Sequence, residues 1–265
     1  KNVLKNQDII VNLAALIGIP YSYHTPRSYF ETNIFGLMNI LEAVNKNKIK
    51  KIIHVSTSEV YGSPQYIPID EKHRYYGQSP YSASKISADQ LALSYYNSFG
   101  TPVTIIRPFN TFGPRQSLRA VIPTLITQYL NNYNYIKIGS LNTIRDLTYI
   151  DDTVDAFIKL ILTKKKTSGE VINLGTGYGL SIKSLNQKIS KLINIKKKII
   201  IDKKRLRPKN SEVDKLIANN SKAIKILKWY PKYDKKNFDI ALKKTINWFS
   251  KKENIKEYYS NDYIV

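Results

Sequence analysis

Short apolar runs alternating with amphipathic stretches of helical period constrain this chain more than any other feature. Asp8-Ile-Ile-Val-Asn-Leu-Ala-Ala15, Lys51-Ile-Ile-His-Val-Ser56 and Pro102-Val-Thr-Ile-Ile-Arg107 each carry a continuous apolar run bounded by polar residues. That is the pattern of a strand covered on both faces. Between them lie Ser28–Asn47, with Ile34, Leu37, Met38 and Leu41 at helical spacing, and Pro80–Phe99, which opens on a proline suited to a first helical turn. Strand, helix, strand, helix, strand in that order predicts parallel strands joined by right-handed crossovers, an α/β fold.

After Pro108 the rhythm loosens. The sequence predicts helices over Ala120–Leu130, Asp151–Leu162, Ser181–Ile193 and Asp234–Phe249. It predicts strands over Tyr135–Ile138 and Glu170–Leu174, and an irregular basic segment over Lys203–Lys215. These parts suit a smaller lobe facing the strand ends, and 265 residues are enough for one large domain or a domain plus such a lobe. Ligands of an open parallel sheet bind outside the carboxyl ends of its strands, so chemistry is expected just past Ala15, Val55 and Ile106.

The chain has no cysteine, which excludes a disulfide scaffold, a thiolate nucleophile, a zinc ribbon and an iron–sulfur site. His24, His54 and His73 lack metal-ligand spacing, and no metal is expected. No apolar run approaches a membrane span and no signal peptide opens the chain, so a soluble, cytoplasmic protein is expected. The net charge of +22 invites a nucleic-acid reading. Arginine, however, supplies only eight of the 42 basic residues, and the lysines are scattered among Asn, Ile and Tyr. Lysine filling solvated positions is the preferred explanation, and nucleic acid is not expected as a partner.

Ser56-Thr-Ser-Glu-Val-Tyr-Gly62 follows the second strand, and Tyr81-Ser-Ala-Ser-Lys85 lies early in the next helix. Tyrosine and lysine four apart share a helical face. A free phenol titrates near pH 10, and a neighbouring ammonium favours its phenolate. With a hydroxyl at the adjacent strand end to hold the substrate oxygen, these parts suit oxidation or reduction of a secondary alcohol. The spacing alone is weak, because Tyr133 and Lys137 repeat it without the hydroxyl-rich strand end.

Together with Leu13-Ala-Ala15, Thr32-Asn33, Arg107-Pro-Phe-Asn110, Gly113-Pro-Arg115 and Arg145-Asp146, these motifs resemble the extended short-chain dehydrogenase/reductase family of nucleotide-sugar enzymes (NAD-dependent epimerase/dehydratase). The resemblance implies a Rossmann-like doubly wound parallel sheet with a smaller C-terminal substrate-binding lobe, and NAD as cofactor. Residues 1–110 would hold the cofactor-binding part, and residues 111–265 mainly the lobe, with some segments returning to the core. By the same resemblance Tyr81 and Lys85 are the catalytic pair and Thr57 the substrate-holding hydroxyl. Ala14, Ala15, Asn33 and Ser56 line the NAD site. Asn110, Arg115, Arg145 and Arg207 face a nucleotide-diphosphate sugar, arginine forks suiting the diphosphate.

Glu59 narrows the reading. An epimerase of this family needs no acid there, whereas a 4,6-dehydratase needs a base for the C5 proton once C4 is oxidised. Thr57-Ser58-Glu59 resembles the Thr-Ser-Glu of GDP-mannose-type dehydratases. Ser58 replaces the aspartic acid of dTDP-glucose-type enzymes, leaving Glu59 or a bound water to protonate the departing hydroxyl. Ile19–Pro26, Arg107–Ser117, Ala120–Pro123, Arg205–Pro208 and Ser211–Val213 are similar to LegB-type 4,6-dehydratases of the legionaminic acid pathway, which act on nucleotide-linked N-acetylglucosamine. A UDP-glucuronate decarboxylase or a 4-epimerase of the same family is the alternative, and a non-enzymatic basic binding protein is a third reading.

The family's glycine-rich dinucleotide loop does not occur in this sequence, which aligns from the family's fourth strand onward. The sheet is thus expected to lack its first strands, and this chain alone is expected to bind NAD poorly and to be inactive. Gly175-Thr-Gly-Tyr-Gly179 has the wrong spacing for that loop and reads as a turn in the lobe. The helices Ser28–Asn47 and Pro80–Phe99 resemble those that pair in this family as a four-helix bundle, implying a homodimer.

Overall fold

The computed structural model describes residue 4 and residues 6–47 and 49–258. In chain order the elements begin with β1 (Ile9–Asn12), α1 (Ile19–His24) and α2 (Pro26–Phe30), followed by a π-helical turn (Glu31–Phe35) and α3 (Gly36–Asn45). Then come β2 (Lys51–Val55), a 3₁₀ turn (Ser58–Tyr61), α4 (Pro80–Phe99), β3 (Val103–Pro108), β4 (Asn110–Phe112) and α5 (Val121–Leu130). The second half adds β5 (Tyr135–Ile138), β6 (Ile144–Tyr149), α6 (Ile150–Leu162), β7 (Val171–Leu174), β8 (Gly179–Ser181) and α7 (Ile182–Ile193). β9 (Lys198–Ile201), β10 (Lys215–Leu216), α8 (Ser221–Leu227), α9 (Phe238–Phe249) and α10 (Lys252–Ile255) complete it.

The main sheet runs β1-β2-β3-β7, every pair parallel, with Ile10 opposite Ile52, Ile52 opposite Val103 and Ile106 opposite Ile172. Side chains alternate across it. Ile52, Val103 and Ile105 pack with Leu37, Leu41 and Val44 of α3 and Ala88 and Ala92 of α4. Ile53, Ile106, Ile172 and Leu174 face the other way, onto Ala156 and Leu160 of α6, Leu227 of α8 and Trp229. Cover on both faces is why the strands read as continuous apolar runs. β7, α6 and α8 therefore come back from the second half of the chain to complete the doubly wound core. Among the described residues β1 is an edge strand.

The lobe is built on β10-β6-β4, with β8 antiparallel on β6, and on the parallel pair β5-β9. Its core joins Ile122, Leu125 and Tyr129 of α5 to Leu185 and Ile189 of α7 and Phe238, Leu242 and Phe249 of α9. Among the described residues no helix is long and apolar enough to cross a membrane.

Two expected boundaries change for local reasons. The helix expected over Ser28–Asn47 is α2, the π turn and α3 run together, and Asn33 lies in the widened turn. There Leu16 N–H donates to Asn33 Oδ1 at 2.9 Å, while Asn33 Nδ2 donates to Leu16 O at 3.1 Å and to Ser84 Oγ at 2.9 Å. The first strand is shorter than Asp8–Ala15 because Ala14 N–H turns back to Asn12 Oδ1 at 3.3 Å. By contrast α4 spans the whole expected Pro80–Phe99. Ser79 and Ser82 form a reciprocal capping box at its start, and Gly100, at φ 68°, closes its end.

One ion pair crosses the interior. Arg107 of β3 donates through Nε and Nη2 to Asp89 Oδ2 of α4, at 3.0 and 2.8 Å, with both side chains fully buried. Arg107→Met is expected to lower the stability measured by urea unfolding by about 3–5 kcal/mol, because it strands a buried carboxylate. A loss under about 1 kcal/mol would mean that Asp89 had found other compensation. Asn33→Ala should leave the sheet folded but speed hydrogen exchange at the Leu16 amide by about tenfold, the scale of one lost hydrogen bond; unchanged exchange would show that Asn33 does not hold that loop.

Candidate active site

At the end of β2 the chain passes from a buried strand into the tight Ser58–Tyr61 turn, capped by Thr57, whose Oγ1 accepts the Glu59 N–H at 3.2 Å. All four residues of the turn are buried. The turn ends at Gly62 (φ 58°), where a Cβ would collide with Tyr76 O. This geometry brings Thr57 and Glu59 to the cleft wall while Ser58, 2% exposed, stays out of it.

The first turns of α4 bring Tyr81 to the same wall and leave Lys85 buried behind it, outside the cleft lining. Tyr81 is 6% exposed, beside the Thr57 hydroxyl and edge-on to Tyr29 at 6.1 Å. Lys85 Nζ donates to Val55 O at 2.7 Å, which ties the helix to the end of β2. Burial pushes the Tyr81 phenol well up, and the Glu59 carboxylate adds to it, against the Thr57 hydrogen bond. Burial lowers Lys85 to about 8, opposed by Asp89. The sequence-based expectation that lysine pulls the tyrosine down is not met in this structure: desolvation dominates the phenol, and the Lys85 amine is turned to the Val55 carbonyl.

A cleft of about 540 Å³ lies between the two parts of the molecule. Ser56, Thr57, Glu59 and Tyr81 line it from the core side, and Asn110, Arg145, Arg207 and Glu212 from the lobe. Arg145 Nη2 is 3.3 Å from Glu212 Oε1. Arg207 Nη1 is 3.7 Å from the same oxygen and 4.0 Å from Glu59 Oε1. Burial lowers Arg145, with Glu59 and Glu212 opposing and Arg207 reinforcing that shift. Asn110 Oδ1 is buried without a hydrogen-bond partner and lines the same cleft.

Of the residues singled out from sequence, Arg115 stands apart: it is exposed, has φ 65° and does not line the cleft. Arg119, Arg205 and Lys137 line it instead. Arg119, a lone cation in the turn before α5, gave no signal in the sequence, and Lys137 appeared there only in the weak Tyr133–Lys137 spacing. Ala14 is exposed and Ala15 half-buried in the open loop past β1, where Asn33 anchors Leu16. Asp146 does not reach the cleft. Its carboxylate accepts Thr176 N–H and Oγ1–H at 2.9 and 2.7 Å, Gly177 N–H at 2.9 Å and Ala218 N–H at 3.1 Å. The Gly175–Gly179 segment is therefore a turn wrapped on Asp146, two of its amides already committed. His24 is exposed, His54 and His73 are buried, and among the described residues no cluster could hold a metal ion.

Residues 1–239 match the family described as GDP-mannose 4,6 dehydratase. The chain is 38% identical over 193 residues to the dTDP-D-glucose 4,6-dehydratase of Dictyostelium discoideum, covering 69% of this chain and 44% of that protein. It is 32% identical over 248 residues to a putative UDP-glucose 4-epimerase of Methanocaldococcus jannaschii, covering 92% of this chain and 77% of that one. Its fold is similar to that of the UDP-glucuronic acid 4-epimerase of Bacillus cereus, solved with UDP-glucuronic acid and NAD. There the TM-score is 0.87 and the identity 30%, over 97% of this chain and 78% of the other. The parallel, doubly wound fold agrees with these matches: the chain belongs to the GDP-mannose 4,6-dehydratase family, among the extended short-chain dehydrogenase/reductases that act on nucleotide sugars.

Proposed function

We propose that the protein is an NAD-dependent nucleotide-sugar 4,6-dehydratase acting on a nucleotide-linked N-acetylglucosamine to give a 4-keto-6-deoxy sugar. The observation that carries this reading is Glu59, a carboxylate at the cleft wall beside Thr57 and Tyr81. Epimerisation at C4 does not require a base in that position. NAD supplies the electron acceptor and donor for the sugar when bound. The residues that would hold it are Ala14, Ala15, Asn33, Ser56, Tyr81 and Lys85, and they fit the group. Ala14 and Ala15 put two small side chains in the loop past β1, and Ser56 lines the cleft at the neighbouring strand end. Asn33 contributes by ordering that loop, since both its amide hydrogens are already donated.

In this reading Tyr81 exchanges the proton of the C4 hydroxyl, which Thr57 orients, while the Lys85 ammonium favours the phenolate formed in passing. Glu59 removes the C5 proton once C4 is a ketone. Because Ser58 does not line the cleft, Glu59 hands the same proton to the C6 hydroxyl, which leaves as water. Arg145 and Arg207 hold the diphosphate and Asn110 the sugar. Residues 1–110 with β7, α6 and α8 form the cofactor-binding part, and most of residues 111–265 the substrate lobe. A homodimer through α2–α3 and α4, whose Phe30, Phe35 and Phe99 are exposed, and a cytoplasmic location belong to the same proposal.

A uronate substrate is the second reading, since Arg207 beside Glu59 would also accept a sugar carboxylate. The test is mass spectrometry of the full-length protein incubated with NAD and UDP- or GDP-N-acetylglucosamine. Loss of one water is expected with one of the two nucleotides. Glu59→Gln should abolish water loss while reduced NAD still accumulates, and Tyr81→Phe should slow the first oxidation by about 10²–10⁴-fold. Loss of carbon dioxide from UDP-glucuronate, with no reaction of the N-acetyl sugars, would overturn the dehydratase reading. Tight salt-dependent nucleic-acid binding indifferent to Tyr81→Phe would replace it with a non-enzymatic one.

A further inference from the structure

Tyr81, Lys85 and Asp89 follow one another at four-residue steps along α4 and share a face. Asp89 is fully buried, and its two oxygens have different surroundings. Oδ2 takes both contacts from Arg107, Nε at 3.0 Å and Nη2 at 2.8 Å. Oδ1 takes nothing from Arg107 and lies 3.7 Å from His54 Nε2, and the Ser56 hydroxyl also faces the carboxylate. A carboxylate serving only to neutralise a guanidinium has the fork-to-fork, two-oxygen geometry available to it. Here one oxygen carries the whole arginine contact and the other is left beside the groups behind the catalytic pair.

His54 does not compete for that charge. Asn12 Oδ1 accepts the Ala14 N–H, so Asn12 Nδ2 is the atom facing His54 Nδ1, at 3.4 Å. A donor at Nδ1 puts the imidazole proton on Nε2, toward Asp89. Burial, with Lys85 and Arg107 adding to it, pushes His54 well below its ordinary value and keeps it neutral. The groups facing Asp89 are thus Lys85 on its own helix, Arg107 on β3, and His54 and Ser56 on and just past β2. Burial pushes the Asp89 carboxyl up, and Arg107, Ser56 and Lys85 oppose it. Lys85 in turn faces Asp89 and His54, and its amine is bound to Val55 O.

We propose that Asp89 is a positioning residue for the acid–base pair: one helical turn behind Lys85, its carboxylate, anchored by Arg107, keeps the buried lysine an ammonium and so keeps a cation beside Tyr81. This rests on the reading of Tyr81 and Lys85 as the pair that exchanges the substrate proton. Lys85 has no carboxylate of its own within ion-pair distance among the described residues, and its hydrogen bond goes to a carbonyl, so Asp89 is the negative charge that offsets its burial. The Arg107 anchor is also the link from this column to Tyr61 of the Glu59 turn, whose hydroxyl accepts from Arg107 Nη1 at 2.8 Å.

The test follows the Lys85 ammonium directly, by side-chain ¹⁵N NMR of the full chain, the signal being assigned by its loss in Lys85→Met. In Asp89→Asn, which keeps an oxygen for Arg107, Lys85 should lose its proton about one pH unit or more lower than in the unaltered protein. If the dehydratase reading holds, the alkaline limb of the rate profile moves down with it; the NMR titration stands whether or not turnover is found. The double variant Asp89→Asn/Arg107→Met removes both buried charges and serves should the single one fail to fold. Lys85 is again expected to titrate lower than in the unaltered protein. A Lys85 titration unchanged in folded Asp89→Asn, or restored in the double variant, would overturn the proposal and leave Asp89 a counter-ion of Arg107 alone.

Discussion

The buried Arg107 guanidinium is the interaction on which the rest of the structure depends. Taking an arginine and an aspartate out of water is unfavourable unless good geometry and further hydrogen bonds compensate. Here the compensation is extensive. Beyond Asp89, Arg107 donates to the Tyr61 hydroxyl at 2.8 Å and the Tyr75 hydroxyl at 2.5 Å. Both rings also lie within 5 Å of its central carbon, 4.9 Å for Tyr61 and 4.8 Å for Tyr75. Tyr61 passes the chain on to Asn173 of β7 at 2.7 Å. One side chain therefore joins β3 to the helix that carries Tyr81 and Lys85, to the turn that carries Glu59, and through Tyr61 to the strand that returns from the lobe. The positions of Tyr81, Lys85 and Glu59 are consequences of the same buried cation.

That construction explains the charge state of the resting site. Groups held this deeply feel desolvation first, so the phenol is pushed up and the lysine down. Both shifts favour neutral forms, which is the opposite of what the proposed proton exchange requires. The remedy available within the chain is compensation by fixed charge. Asp89 holds Lys85 toward its ammonium form and the Thr57 hydroxyl favours the phenolate. Glu59 opposes ionisation of Tyr81, and Arg207, 4.0 Å from Glu59, draws on that same carboxylate from the far side. Tyr81, Lys85, Glu59 and the cleft arginines thus form one electrostatic unit across the cleft.

The core was legible in the sequence because its strands are apolar on both faces and its longest helix opens on Pro80. The Ser58–Tyr61 turn and the tyrosine–lysine pair were legible because they are contiguous motifs. The lobe was less so. β4, β8 and β10 have two or three residues each, too short for any periodicity, and their partners lie far away in sequence, Leu216 beside Arg145 and Gly179 beside Asp146. β6 reads as polar because Arg145 and Asp146 are buried by partners that only the fold supplies. The same reason hid the role of Glu212 between Arg145 and Arg207, and that of Asp89: each acts through a residue remote in the chain. Arg115 shows the converse, a motif position whose left-handed backbone turns it away from the cleft.

The distribution of the two basic residue types bears on the large net charge. Of the eight arginines, Arg107 is buried in the core and Arg119, Arg145, Arg205 and Arg207 line the cleft, whereas Lys137 is the one lysine among its lining residues. Arginine's planar fork is weakly hydrated and suits partly buried sites and bidentate contact with carboxylate or phosphate; lysine's compact ammonium is strongly hydrated and does well in open solvent. Arginine is therefore spent where charge must be desolvated or must grip an anion, and lysine covers the outside. A surface made basic in this way tells little about a macromolecular partner. The desolvated cations are concentrated in the cleft, where Glu59 and Glu212 temper the arginines and leave a cation-rich wall opposite Tyr81.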